Sequence, residues 1–250
     1  MTVLFGHRGA SAHLPENTMA SFQRALDDGA DALESDVHLT RDGHVVLSHD
    51  GTGQRMANVD AAIAQCDLAE VQSWDVGWGF VDDDGQRPFV DDGHHIPTLD
   101  DVLDAFGSVP LNLDVKQATP SMVAPLLSCL RRHNAEHRVT LASFHMSVLK
   151  ELRKAKYSGA LALGVRELRM LLALPRSMLA LQPGLGHRAQ VPLSWGPVRF
   201  DSAWFVGKCH ELGVLVDYWT INDADDAKRL VALGADGLFT DDPKLLKSSM

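Results

Sequence analysis

The sequence predicts a (β/α)8 TIM barrel, one α/β domain spanning residues 1–250, on three observations. Short apolar runs are followed by helical patterns all along the chain, the alternation that parallel strands crossed by helices require. One further run, "HVVLS" at 44–48, is separated from the strand before it only by a turn at Asp42 and Gly43. That is too short for a parallel crossover, so the run is an extra antiparallel strand, the return arm of a hairpin. Setting this arm aside leaves eight strands, and eight βα units fit a chain of 250 residues. An open doubly wound sheet is the competing architecture, but the chain lacks the GxGxxG and GxxxxGKS/T patterns of such folds.

In order, "TVLF" (2–5) opens the barrel and leads to a helix over 16–28, entered through Pro15. "DALESDV" (31–37) is the second strand and first arm of the hairpin. "VPLNLDVK" (109–116) precedes a helix over 121–132, "RVTLAS" (138–143) one over 146–154, and "GALALGV" (159–165) one over 167–173. "SMLAL" (177–181) reads as the sixth parallel strand. "VLVDYWT" (214–220) lies between helices over 201–212 and 223–233, and "ADGLFT" (235–240) closes the series. No fixed-period repeat or low-complexity linker interrupts it.

Composition excludes some partners. Lys plus Arg number 23 against 33 Asp plus Glu, a formal charge of −10, so diffuse attraction to nucleic acid or an anionic membrane is not expected and any phosphate must meet a local cationic cluster. Cys66, Cys129 and Cys209 are odd in number and widely spaced, which fits a reducing compartment better than a disulfide scaffold. The start, "MTVLFGHRGA", has neither a basic leader nor a long apolar run, so it reads as neither signal peptide nor membrane span. The expectation is a soluble cytoplasmic protein without stable membrane anchoring; oligomeric state is not legible.

The polar residues inside the strands carry the chemistry. With Asp42 and Gly43 as the two central turn residues, Arg41 faces His44 and the ladder runs down to Asp36 facing His49. Glu34 and Asp36, two apart, share one face of their strand near its carboxyl end, where a barrel keeps its active site. In "LNLDVK" (111–116), Asn112, Asp114 and Lys116 likewise share a face, and inside a barrel such groups must find partners or water. Glu34, Asp36 and Asp114 make a hard oxygen site suited to one divalent cation, Mg²⁺ or Ca²⁺. "GHRG" at the end of the first strand adds His7 and Arg8. Two imidazoles, a divalent cation, an Arg and a Lys are what cleavage of a phosphodiester requires: neutralised non-bridging oxygens and proton transfers at the entering and leaving oxygens.

The run "GHRGASAHLPENTMASFQRALDDGADALESDVHLTRDGHVVLSHD" (6–50) resembles the amino-terminal half of a glycerophosphodiester phosphodiesterase, with HRG, PENT, ExD and the closing HD in order. The resemblance continues through "IPTLDDVL" (96–103), "LNLDVK", "ASF" (142–144), "VDYWTIND" (216–223) and "GADGLFTDDP" (234–243). It implies His7 and His49 as the acid/base pair, Glu34 and Asp36 as metal ligands, Arg8 and Lys116 on the phosphate, and Trp219 lining the glycerol end. The family usually has Glu where this chain has Asp114, one methylene shorter, while the related spider-venom sphingomyelinase D group has Asp there.

The resemblance also implies that residues 51–97, including "DVGWGFVDDDGQRPFVDDGHHIP" (75–97), form a small inserted subdomain or lid. Glu16 and Asn17, after Pro15, suit a helix start as well as a site. His13, His38, His44, His94, His95 and His145 read as loop or surface histidines. Expected from the resemblance is metal-dependent hydrolysis of glycerophosphodiesters to sn-glycerol 3-phosphate and an alcohol. Two readings compete: phospholipase D-type cleavage of lysophospholipids or sphingomyelin, needing an exposed apolar rim, and a phosphoester-binding barrel without turnover.

Overall fold

The computed structural model describes residues 1–179 and 185–249. In chain order the elements are β1 (Val3–His7), α1 (Met19–Asp27), β2 (Ala32–Leu39), β3 (Val45–Leu47), α2 (Gln54–Ala57), α3 (Leu68–Val71), α4 (Leu99–Ala105), β4 (Leu111–Val115), α5 (Val123–Arg132), β5 (Val139–Ala142), α6 (Met146–Lys154), β6 (Ala160–Leu161), α7 (Val165–Ala173), α8 (Arg176–Leu179), β7 (Arg188–Val191), β8 (Ser194–Trp195), β9 (Val198–Arg199), α9 (Ala203–Glu211), β10 (Leu215–Tyr218), α10 (Ala224–Leu233), β11 (Gly237–Thr240) and α11 (Pro243–Lys247). Eight parallel strands run in the order β6-β5-β4-β2-β1-β11-β10-β7, with β3 antiparallel on β2. A parallel bridge between Ala162 and Arg188 joins the two ends, and the His187 amide donates to the Leu161 carbonyl at 2.7 Å. The result is the expected (β/α)8 barrel with its extra antiparallel strand.

Two expectations are corrected. Within "SMLAL", Ser177–Leu179 lie in the helical turn α8, and residues 180 and 181 fall outside the described residues. The corresponding barrel strand is β7, "RAQV", which has no apolar run because Arg188 and Gln190 bond other polar residues of the barrel. The hairpin register also differs by one: Val37 pairs with Leu47, His38 with Val46 and Leu39 with Val45. The loop holds three residues, Arg41 to Gly43, and Gly43 sits at φ +91°, the left-handed conformation such loops place at their third position. Thr40 Oγ1 donates to Asp42 Oδ1 at 2.6 Å and braces the turn. Ser48 therefore stands at Asp36, its amide donating to the Asp36 carbonyl at 3.0 Å, and His49 lies one residue beyond.

The apolar faces of the helices and strands divide into two large clusters. One gathers α1, β2, β4 and β5 with α4, α5 and α6 around Phe22, Leu113 and Leu126; the other gathers β7, β10 and β11 with α9 and α10 around Phe205, Val216 and Leu238. Residues 51–97 contribute Met56, Ile63, Cys66, Val71, Trp74, Val76 and Ile96 to a small core of their own against Val46. Helix starts are fixed by polar side chains: Thr98 and Asp101 form a reciprocal capping box on α4, and Asp223 caps α10. No helix among the described residues is long and apolar enough to cross a membrane.

Inside the barrel, the Asp217 carboxylate is fully buried and receives two bonds from Arg188 and one from Gln190, whose amide also donates to Asn112 Oδ1 at 2.6 Å. Breaking such a pair leaves a charge that the interior does not solvate. Asp217→Ala should therefore lower the unfolding free energy by about 3–5 kcal/mol in urea denaturation; a loss below about 1 kcal/mol, typical of exposed pairs, would contradict this.

Candidate active site

A cavity of about 440 Å³ opens at the carboxyl ends of the strands, and all eight predicted site residues, His7, Arg8, Glu34, Asp36, His49, Asp114, Lys116 and Trp219, line it. Strand register brings them together: β1 pairs His7 with Glu34 on β2, and β2 pairs Asp36 with Asp114 on β4. Period-two alternation then turns these side chains inward while Leu33, Val37, Leu113 and Val115 enter the core.

The turn after β1 is strained where it serves the site. Arg8 adopts φ +56°, and its amide donates both to the Glu34 carbonyl and, at 3.1 Å, to Glu34 Oε2. Gly9 follows at φ +89°, and a Cβ there would fall within 2.7 Å of the Ser21 backbone, so α1 packs this closely only against glycine. Asn17, also at positive φ, donates from Nδ2 to Asp36 Oδ2 at 3.3 Å and accepts from Ser35 Oγ at 2.6 Å.

Charge organises the floor of the cavity. Lys116 Nζ lies 2.7 Å from Asp114 Oδ2 and 3.0 Å from Asp36 Oδ1, and Arg8 Nε lies 3.3 Å from Asp36 Oδ2. Burial raises the pKa of Asp36, but the charges of Lys116 and Arg8 outweigh it and hold the carboxyl below its ordinary value. Burial lowers the pKa of Lys116, and the same two carboxylates more than reverse that. Burial holds Asp114 above the usual carboxylate range against Lys116, and its Oδ1 is a buried atom without a hydrogen-bond partner. Glu34 fares worst: burial first, then the Asp36 charge, push it up to about 8.

The two histidines are built alike. His7 Nδ1 bonds Asp241 Oδ1 at 2.6 Å, while its Nε2 lies 3.9 Å from Glu34 Oε2. Burial opposes protonation of His7, but Glu34 and Asp241 overcome it and raise the pKa. Asp241 accepts from Ser11 Oγ at 2.8 Å and from Asn222 Nδ2 at 2.6 Å; burial would raise its pKa, but His7 and these donors bring it to about 2. His49 Nδ1 bonds Asp50 Oδ1 at 2.7 Å. Arg55, from the 51–97 segment, bonds Asp50 Oδ2 and also reaches Glu16 at 2.7 Å, and Glu16 accepts from Arg8 at 3.1 Å. His38, expected at the surface, is instead buried on β2, with Nε2 3.3 Å from the His49 carbonyl; burial lowers its pKa.

The donor set fits a divalent cation. Three carboxylates meet two cations, Glu34 has its nearest counter-charge in His7 Nε2 at 3.9 Å, and Asp114 Oδ1 lacks a partner, so a hard cation would satisfy both. The three residues are not drawn tightly together: among the described residues, only Asp100, Cys129 and His133 offer three ligand atoms within 4.8 Å of one another. Lys116 bridges Asp36 and Asp114 instead.

Sequence reasoning did not single out Asp241 or Asp50, the partners of the histidines, nor the Arg55–Glu16 link. Asp241 follows β11 inside "FTDDP" and Asp50 follows His49, so a carboxylate next to each strand-end element was the available signal.

Fold and site together define a barrel phosphodiesterase. The glycerophosphoryl diester phosphodiesterase family model matches residues 7–245, and the chain belongs to that family. It is 31% identical to a glycerophosphodiester phosphodiesterase of Caldanaerobacter subterraneus subsp. tengcongensis, over 98% of this chain and 96% of that one. It is 28% identical to a human lysophospholipase D, over 96% of this chain and 83% of that one. An Oleispira antarctica phosphodiesterase, solved in complex with the product sn-glycerol-3-phosphate, superposes with a TM-score of 0.80 at 25% identity, covering 100% of this chain and 96% of that one. The chain is thus an enzyme of the phosphoric diester hydrolase class, and its family generally uses a divalent metal.

A folded-state pKa for Glu34 raised from 4.5 to about 8 means that the cation-free fold holds this proton more tightly than the unfolded chain does. Its stabilising contribution is complete below about pH 4.5 and is lost as pH rises through about 8. The chelated protein should therefore lose Tm across that window, and Glu34→Gln should flatten the decline. A variant curve as steep as the wild-type one would contradict the assignment.

Proposed function

We propose that this enzyme hydrolyses glycerophosphodiesters to sn-glycerol 3-phosphate and an alcohol, with metal dependence and two-histidine acid/base catalysis. The observation that carries this reading is the matched pair of imidazoles. His7 and His49 each have Nδ1 held by an aspartate, at 2.6 and 2.7 Å, which leaves Nε2 of each for the substrate. One histidine takes the proton of the nucleophile, water or the glycerol 2-hydroxyl, as the new O–P bond forms; where the hydroxyl attacks, water opens the resulting cyclic phosphate in a second step to give sn-glycerol 3-phosphate. The other gives a proton to the departing alkoxide as the old P–O bond breaks.

Mg²⁺ or Ca²⁺ held by Glu34, Asp36 and Asp114 would supply charge neutralisation at the non-bridging oxygens. Arg8 and Lys116 turn from their carboxylates toward the phosphate, and Trp219 packs beside the glycerol end. Residues 51–97 act as an inserted subdomain that steadies the site through Arg55, whose bonds to Asp50 and Glu16 join His49 and Arg8. A cytoplasmic setting is supported by three buried free thiols.

One observation favours a second reading. The same cavity is lined by Leu163, Leu168, Pro192 and Phe200, and by Phe144 and Trp195, which are 60% and 53% exposed. This is the apolar rim that phospholipase D-type cleavage of a lysophospholipid needs. Glycerophosphocholine and lysophosphatidylcholine should be assayed side by side with Mg²⁺, Ca²⁺ and chelator. Hydrolysis of the first should stop on chelation and return with cation; full turnover in excess chelator would overturn the metal dependence. If the rim binds acyl chains, Trp195→Ser should lower kcat/KM for the lysolipid by roughly 10-fold or more and leave the deacylated substrate unchanged.

A further inference from the structure

Away from the barrel mouth, α4 and α5 face each other with two pairs of donor side chains. Asp100 and Asp104 lie four apart on α4, and Cys129 and His133 lie four apart at the end of α5, so each pair shares one helix face. The proposed hydrolysis uses none of them. One ligand atom each from Asp100, Cys129 and His133 lies within 4.8 Å of the other two. His133 Nε2 is 2.8 Å from Asp100 Oδ1 and its Nδ1 is 3.1 Å from Asp104 Oδ1. Cys129 is 1% exposed and packs into the larger core cluster.

We propose that Asp100, Cys129 and His133 form a second cation site, for Zn²⁺, which clasps α4 to α5 with water as fourth donor. The donors are a thiolate, an imidazole and a carboxylate, the set that zinc prefers, whereas Mg²⁺ and Ca²⁺ prefer the all-oxygen mouth of the barrel. Tetrahedral zinc with bonds of about 2.0–2.3 Å spaces its donors roughly 3.3–3.8 Å apart. Contraction from the present spacing takes side-chain shifts on the order of an ångström. His133 already holds a carboxylate at each ring nitrogen, so one nitrogen can coordinate while the other keeps the outer carboxylate that zinc-bound imidazoles use. Arg132 bonds Asp100 Oδ1 at 2.6 Å, but its side chain is 57% exposed and turns to solvent when the ion takes that oxygen. The Cys129 proton leaves to solvent on binding, and the thiolate and one carboxylate balance the charge of the ion.

The test uses the full chain, stripped by chelation and reloaded with Co²⁺. A thiolate-to-cobalt charge-transfer band should saturate at a single equivalent and be displaced by Zn²⁺, and Zn²⁺ should raise Tm. The band should vanish in Cys129→Ser and His133→Gln, and persist in Glu34→Gln, which alters only the barrel mouth. Asp100→Asn provides a variant outside the buried core, and loss of this direct ligand should weaken Zn²⁺ by more than the roughly 10–100-fold of outer-shell changes. No thiolate band at excess Co²⁺ in the folded wild type, or a band that survives Cys129→Ser, would overturn the proposal.

Discussion

Three carboxylates, Glu34, Asp36 and Asp114, are buried together at the mouth of a barrel with two cationic side chains to balance them. Much of the surrounding structure follows from this excess of negative charge. Lys116 bridges two of the acids, Arg8 supports one through its guanidinium and another through its amide, and Asn17 adds a donor to Asp36. Arg8 adopts a left-handed conformation to do so, and Gly9 is needed because α1 presses against the same turn. Each histidine is drawn through Nδ1 onto its own aspartate, Asp241 or Asp50, and His7 also brings Nε2 to 3.9 Å from Glu34 Oε2.

This charge pattern explains how the functions divide around the rim. On one side, Arg55 joins the 51–97 segment to the His49 aspartate and to the Glu16 partner of Arg8, so that segment is tied to the site by ion pairs. The cavity also has an apolar lining that includes Leu163, Leu168, Phe200 and the exposed Trp195. A headgroup-sized polar ligand needs only the charged side, whereas a ligand with an acyl chain needs both. On the proposed function, the choice between these two ligands would fall to the apolar lining, and the phosphate would meet the charged strand ends.

Much of this was legible in the sequence because barrel strands place residues of one face at fixed spacing. Glu34 with Asp36, and Asn112 with Asp114 and Lys116, announce polar groups where apolar ones would otherwise pack, and the cavity contains all five. What was misread has physical causes. β7 lacks an apolar run because Arg188 and Gln190 bond Asp217 and Asn112, so hydrophobicity pointed to the apolar "SMLAL" instead. The hairpin slipped by one residue because Gly43 was counted as half of a two-residue turn, whereas it closes a three-residue loop. His38 reads as a loop or surface histidine in the sequence, yet it is buried on β2 with its Nε2 3.3 Å from the His49 carbonyl. Asp241 leaves no spacing signature, because its histidine arrives from the other end of the chain; Asp50 stands next to His49, but adjacency alone does not show that its carboxylate turns onto Nδ1.

The proposed division of proton transfer between His7 and His49 is tested most directly by changing the leaving group. On glycerophosphocholine, His7→Ala and His49→Ala should each lower kcat by roughly 10²–10⁴-fold. On a p-nitrophenyl diester, whose leaving group departs without a proton, the variant lacking the general acid should recover most of its rate, while the variant lacking the base should stay slow. Near-normal turnover of both variants on glycerophosphocholine, or equal impairment of both on the two substrates, would contradict a paired acid and base at the mouth of this barrel.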